Sequence, residues 1–282
     1  MTGKAVKFTK MQGCGNDYVY VDCFSQQIDD PPALARAIAD RHYGVGGDGL
    51  ILIEPAEGAD AFMRLYNLDG SAAGMCGNGI RCTAKYIYDH GILPPERRTA
   101  RIDTPAGVRE IALTVEDGRV TAATVDMGIP KLTSELPERI TVAGMALSFI
   151  GIDMGNPHAV YFLEDNPALG ASDVSALPLA AWGADFETHP RFPDRVNSEF
   201  AAVRSRGEID FRVWERGSGE TLACGTGATA AVAAGILAGK LDDEVLVHLP
   251  GGDLRIRYDR AGGHAFMTGP AVEVFSGEYP LG

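Results

Sequence analysis

The sequence predicts an α+β fold of two pseudosymmetric lobes, each a curved, mostly antiparallel, β-barrel-like sheet around a central helix. Three observations carry this expectation. Short motifs recur in register, many short segments alternate apolar and polar residues, and two apolar helical stretches each begin at a repeated Cys-Gly.

The repeat appears when the chain is laid on itself with an offset of 148 residues. Met63-Arg64-Leu65-Tyr66-Asn67 then meets Phe211-Arg212-Val213-Trp214-Glu215, and Cys76-Gly77-Asn78-Gly79 meets Cys224-Gly225-Thr226-Gly227. An offset of 140 lays Gly15-Asn16 on Gly155-Asn156, each ahead of an apolar alternating run. The order Gly-Asn, Arg-bearing strand, Cys-Gly-x-Gly therefore occurs twice. A duplicated supersecondary unit explains this better than chance, and it puts one copy of each motif on either side of a shared cleft.

Alternation and β-branched content predict strands at 60–66, 99–104, 108–115, 119–125, 147–152, 157–163, 200–205, 209–215, 244–248, 254–258 and 271–275. A helix is expected over 32–42, behind Asp29 and Asp30 and with a Pro pair at its start. Two more follow the repeated cysteines, 77–89 ahead of Gly91 and 225–238 ahead of Gly239. The last is Ala-rich and apolar on nearly every face, as a helix enclosed by a sheet should be. The N-terminal lobe is expected over 1–124, completed by 271–282, and the C-terminal lobe over 125–270. The turn-like stretch containing Gly128 and Pro130 marks the boundary.

Composition narrows the chemistry. The 282 residues are 45% hydrophobic, enough for a sizeable core, and carry a formal charge of -13, which disfavours nucleic acid and anionic membranes as partners. The most apolar segment, 228–238, is too short to cross a bilayer, and the start lacks an apolar signal stretch, so a cytoplasmic location is expected. Five cysteines with no CxxC pair, and six histidines without ligand spacing, predict neither a disulfide scaffold nor a bound metal.

Two of those thiols stand out. A cysteine at a helix start meets unpaired N–H groups and the positive end of the helix dipole, a setting expected to lower its pKa toward neutrality and to bind an anion. Glycine beside it lets a ligand reach the backbone. Two such sites could clamp a carboxylate and present one sulfur to each face of its α-carbon. Inverting a stereocentre needs one base to take the proton and one acid to return it from the other side. A single Cys-Gly is more often a small buried residue at a turn; the duplication shifts the balance to Cys76 and Cys224 as an acid–base pair. Cys23 and Cys82 read as packing residues, and Cys14 as a bystander near Asn16.

The motifs Met11-x-Gly-x-Gly15-Asn16-Asp17, Tyr66-Asn67-x-Asp69-Gly70-Ser71, Met75-Cys76-Gly77-Asn78-Gly79-Ile80-Arg81-Cys82, Gly155-Asn156-Pro157-His158, Arg195-Val196-Asn197 and Trp214-Glu215-Arg216-Gly217-Ser218-Gly219-Glu220-Thr221-x-Ala223-Cys224-Gly225-Thr226-Gly227 resemble the diaminopimelate epimerase family. The resemblance runs from residue 8 to about 275. It implies interconversion of LL- and meso-2,6-diaminopimelate, in the lysine and peptidoglycan pathway, by a homodimer that uses no cofactor. By the same resemblance Cys76 and Cys224 are the acid–base thiols, and Asn16, Asn67, Asn156, Asn197, Glu215 and Arg216 contact substrate. Gly77 with Asn78, and Gly225 with Thr226, form the two helix-end anion sites. His158 and Glu215 are similar to residues that tune the thiols' protonation. Some members of the family carry Gln where this chain has Gly49, so no side-chain contact is expected there.

The physical sense of this set is independent of the resemblance. The substrate has an amino-acid group at each end and only one reacts. A distal ammonium calls for a carboxylate and a distal carboxylate for a guanidinium fork, which Glu215 and Arg216 supply. Neutral amides can hold a zwitterion without biasing its charge. Gly44-Val-Gly46-Gly-Asp-Gly49 matches a dinucleotide-binding pattern only literally, since it follows a helical stretch and precedes an apolar run. From the residues alone, two rivals stay open: a two-thiol racemase for another amino acid, and a binding protein for zwitterions.

Overall fold

The computed structural model describes residues 5–74 and 76–281. Residues 1–4 and 282 of the expected lobes, and Met75 of the Cys76 motif, lie outside them. The chain divides into two compact units, one holding the chain up to Val125 and again from Gly269, the other Asp126–Thr268.

The first unit runs β1 (Ala5–Gly13), β2 (Asn16–Asp22), α1 (Pro31–Ile38), β3 (Gly49–Glu54), β4 (Ala61–Asn67), β5 (Ala72–Ala73), α2 (Gly77–Asp89), β6 (Thr99–Asp103), β7 (Arg109–Glu116) and β8 (Arg119–Gly128). The second runs β9 (Lys131–Leu132), β10 (Glu138–Val142), β11 (Met145–Asp153), β12 (Pro157–Phe162), α3 (Leu179–Glu187), β13 (Asn197–Ser205), β14 (Glu208–Glu215), β15 (Gly219–Glu220), α4 (Gly225–Leu237), β16 (Glu244–Leu249), β17 (Gly252–Tyr258) and β18 (Ala265–Pro270). A last strand, β19 (Val272–Pro280), pairs antiparallel with β1 and so belongs to the first unit.

From β1 and from β11 the order β-β-α-β-β-β-α-β-β-β is the same. The pairing repeats with it. In each unit the second and third strands of this order are parallel (Tyr18 opposite Gly49, His158 opposite Asn197), and the fourth pairs parallel with the strand after the second helix. The other pairings described within the units are antiparallel, which makes the sheet mostly antiparallel, as expected.

Each sheet separates two helices. In the first unit Val19, Val21, Leu50 and Leu52 turn toward α1, packing with Leu34, Ala35 and Ile38. By the strand's period of two, Tyr20 and Ile51 turn to the other face, where the Tyr20 hydroxyl donates to the Gly79 carbonyl of α2. In the second unit the α3 side holds Tyr161, Phe186 and Phe200, with ring centroids 5.1–5.5 Å apart. The enclosed helices are buried almost throughout, α2 from Asn78 to Tyr88 and α4 from Gly227 to Gly235. α4 manages this with small residues. At Gly235 an added Cβ would stand 2.4 Å from Leu241 Cδ1. α2 instead buries Arg81 and Lys85, whose charges are met by the Pro270 and Gly77 carbonyls and by Asp89 and the Val120 carbonyl. Both helices stop before a left-handed glycine, Gly91 (φ 74°) and Gly239 (φ 71°).

Several elements differ from expectation. Strands β1, β2, β3, β10 and β18, the two-residue strands β5, β9 and β15, and helix α3 are not among those the sequence predicts. α3 lacks a side-chain cap and carries Gly183 at its centre, where any Cβ would strike the Trp214 ring at 2.0 Å. Tertiary packing, not local propensity, holds that helix. The helix expected over 32–42 ends at Ile38, because Asp40 takes the amides of His42 and Tyr43 into a turn.

Candidate active site

Cys76 and Cys224 are the N-cap residues of α2 and α4. Their backbones are alike (φ -133°, ψ 120° and φ -121°, ψ 108°), and each sulfur accepts from the amide of the third helical residue, Gly79 at 3.3 Å and Gly227 at 3.4 Å. The position is normally filled by a hydroxyl, carboxylate or amide oxygen that performs the same capping. A thiol there sits among the N–H groups that the helix itself cannot satisfy.

Around Cys76 the polar groups come from the first unit. Its thiol donates to Asn16 Oδ1 at 3.2 Å, and Asn16 Nδ2 donates to Asp48 Oδ2 at 2.6 Å. Arg41 holds Asp48 and Asp17, and Lys10 also pairs with Asp17. The Tyr18 phenol lies beside the sulfur and favours its thiolate. Asn67, at the end of β4, donates through Nδ2 to Ser71 Oγ at 3.0 Å. Asn78 is buried and its Oδ1 has no hydrogen-bond partner among the described residues. Such an acceptor suits an ammonium donor.

Around Cys224 the groups come from the second unit. Thr226 Oγ1 lies 3.4 Å from the sulfur, and Asn156 Nδ2 donates to that hydroxyl at 3.5 Å. His158 Nε2 meets Asn156 Oδ1 at 3.0 Å, and His158 Nδ1 meets Glu199 Oε1 at 2.6 Å. Asn197 Oδ1 accepts from the Arg216 amide at 2.8 Å, and its Nδ2 donates to the Pro157 carbonyl at 3.2 Å. Glu215 accepts from the Thr221 hydroxyl. The Arg216 guanidinium is exposed and donates to the Asp194 carbonyl at 3.2 Å. Arg216, Asn156, His158, Asp194 and Arg195 line a cavity of about 700 Å³ within this unit.

The electrostatics correct one expectation. Burial pushes the Cys76 thiol above its ordinary value, although the Gly79 and Asn78 amides and Arg81 pull it down. Burial pushes Cys224 further up, with the Glu215 and Glu199 carboxylates adding to it against the pull of Thr226 and Gly227. Helix-end donors do not bring either thiol to neutrality, because removing a thiolate from water costs more than the first turn returns. Cys82 and Cys23, read as packing residues, are likewise pushed up by burial, to about 11 and about 12.

Of the expected residues, Asn16, Gly77 and Asn78 stand with Cys76, and Asn156, His158, Asn197, Glu215, Arg216, Gly225 and Thr226 belong to the Cys224 unit; Asn67 lies in the first unit, opposite Gly49. Gly49 opens β3, and a Cβ there would lie 2.1 Å from the Tyr66 carbonyl oxygen. Tyr18, Asp48, Thr221 and Glu199 escaped the sequence reading. Two of them could have been found by strand alternation, since Tyr18 follows Asn16, and Glu199 follows Asn197, by two residues on the same face. Among the described residues no group of three or more His, Cys, Asp or Glu side chains could hold a metal ion, and no helix is long and apolar enough to cross a membrane.

Solved structures share this architecture. A hydroxyproline epimerase from Agrobacterium vitis superposes with a TM-score of 0.70 at 18% identity, covering 98% of this chain and 93% of that one. A phenazine biosynthesis protein of the PhzF family from Bacillus anthracis gives 0.71 at 16% identity, covering 99% and 100%. The class is thus the two-unit α+β fold common to these proteins. Within it, the family model for diaminopimelate epimerase matches residues 8–133 and 150–274. Diaminopimelate epimerases from Agathobacter rectalis and Desulfovibrio desulfuricans are each 48% identical, over 98% of this chain and 100% and 98% of their own lengths. The chain belongs to the diaminopimelate epimerase family, and it is an isomerase.

Proposed function

We propose that this protein interconverts LL- and meso-2,6-diaminopimelate by two-base chemistry, with Cys76 and Cys224 as the acid–base pair and no cofactor. The observation that carries this reading is the duplicated cap: two thiols with the same backbone geometry, each bonded to the third amide of a buried helix. One thiolate removes the α-proton and the other thiol returns a proton to the opposite face. Charge that develops on the substrate carboxylate is met by the first-turn N–H groups of Gly77, Asn78, Gly225 and Thr226. Asn16, Asn67, Asn156 and Asn197 orient the zwitterion, and Glu215 and Arg216 receive the distal ammonium and carboxylate. Glu215 and His158 also bias the protonation of Cys224.

The test is solvent deuterium. Incubated in deuterated water, LL-diaminopimelate should gain one α-deuteron per inversion, while proline, hydroxyproline and other free amino acids should not. Binding without deuterium entry would overturn the enzymatic reading, and faster exchange into proline would overturn the substrate. The same reading includes a homodimer in the cytoplasm. Light scattering at micromolar concentration should give twice the monomer mass, and a monomer would remove that part.

A further inference from the structure

We propose that Glu199 is a positioning residue for Cys224, acting through His158, Asn156 and Thr226. These five side chains form one continuous hydrogen-bonded chain inside the second unit, with links of 2.6, 3.0, 3.5 and 3.4 Å from carboxylate to sulfur. Glu199 and His158 are fully buried at its far end.

The direction of each link follows from the donors available. Asn156 Oδ1 can only accept, so His158 Nε2 carries a proton, and one further proton lies between Nδ1 and the Glu199 carboxylate. That leaves Asn156 Nδ2 to donate to Thr226 Oγ1, and the threonine's own hydrogen is free to point at Cys224. The chain is polarised toward the sulfur, and Glu199 anchors the polarity. A buried carboxylate that fixes an imidazole's proton is a recurrent way to aim a reacting group one residue further on.

The molecule supplies its own control. The parallel pairs Tyr18–Gly49 and His158–Asn197 occupy the same place in the two units, so Ile51 and Glu199, two residues further along, correspond. Both pack on the third residue of the enclosed helix. A Cβ on Gly79 would lie 2.8 Å from Ile51 Cδ1, and one on Gly227 2.8 Å from Glu199 Oε1. The first unit fills that space with a hydrocarbon. A carboxylate there costs desolvation that isoleucine does not, so packing does not explain Glu199.

The inference rests on Cys224 being a working thiol of the proposed reaction, so one readout needs no substrate. Cys224 is faced by Glu199, Glu215, Thr226 and the Gly227 amide. Removing the Glu199 charge would by itself favour the thiolate, whereas loss of the aligned donors disfavours it. The sign of the change separates the two roles. Wild type and Glu199→Gln are alkylated with iodoacetamide at pH 8, and the Cys224 and Cys76 peptides are quantified separately by mass spectrometry. The Cys224-to-Cys76 rate ratio should fall at least fivefold in Glu199→Gln, and equally in Glu199→Asp, which keeps the charge but shortens the reach. With diaminopimelate, Glu199→Gln should lower kcat at least tenfold with KM within threefold. In a Thr226→Val background the same change should cost less than twofold, because both act through one link. A ratio that rises or stays level, or costs that multiply independently, overturns the proposal. If diaminopimelate is not the substrate, kcat is silent but the alkylation ratio still decides.

Discussion

Ile51 and Glu199 hold the same place in the two halves of this chain, each against the glycine at the third position of an enclosed helix. The duplicated scaffold has therefore kept its backbone while its two thiol surroundings diverged. Cys76 faces the Asn16 amide and the Tyr18 phenol, with the Arg81 charge favouring its thiolate; Cys224 faces two carboxylates and a hydroxyl.

That divergence predicts unequal thiols. Cys76 is half-buried and pushed up less, whereas Cys224 is buried and pushed up further. In substrate-free protein at pH 8, Cys76 should be alkylated several-fold faster than Cys224. Equal rates, or a faster Cys224, would contradict this account.

Both thiols should be required. Cys76→Ala and Cys224→Ala should each lose more than a thousandfold in kcat, about 4 kcal/mol of barrier, while retaining the wild-type melting temperature within a few degrees. Serine variants should be little better, since a hydroxyl is far harder to ionise. Near-normal turnover in either alanine variant would remove the two-base mechanism.

Arg216 should govern recognition of the distal carboxylate. Arg216→Ala should cost about 2–4 kcal/mol in kcat/KM, and Arg216→Lys most of that, because an ammonium cannot reproduce the fork. Values within threefold of wild type would refute the assignment.

The rate should follow a bell displaced to alkaline pH. One thiol must be ionised and the other protonated, and burial pushes both up, so activity rises with pH as the first proton leaves. It falls again when the second leaves, and the two midpoints belong to the pair. A kcat/KM profile without a descending limb would exclude a thiol acid.

Stability should weaken in the same direction. Cys82 is fully buried, and burial pushes its thiol up to about 11 from the ordinary 9.0, with Arg81 pulling the other way. A folded thiol that holds its proton more tightly than the unfolded one stabilises the fold below pH 9. That stability is lost as pH climbs through the interval from 9 to about 11, about 1.4 kcal/mol per unit. Denaturant titrations at pH 8 and pH 10.5 should show the loss, and Cys82→Ala should diminish it. An undiminished slope would assign the loss elsewhere.

Much of this was legible in the sequence because it is periodic or punctuated. The two Cys-Gly-x-Gly motifs fixed α2 and α4 to within a residue, since a cap and a terminal glycine are local signals. α3 was not legible, because Gly183 argues against a helix until Trp214 is seen to need the space. The thiols' ionisation was misread for a similar reason. A helix end is visible in sequence, but the burial that outweighs it is a property of the folded neighbourhood. Alternation from Asn197 puts Glu199 on the same strand face, but its burial and its pairing with His158, distant in sequence, show only in the fold.

The pairing of β1 with β19 has a consequence for synthesis. Thr9 faces Ser276 and Val6 faces Tyr279 across that ladder, so the first unit needs the last dozen residues to close. The second unit is one continuous stretch and is complete once Thr268 has been made. On the ribosome the Cys224 half can acquire its packed helix first, and the Cys76 half, begun earlier, finishes last.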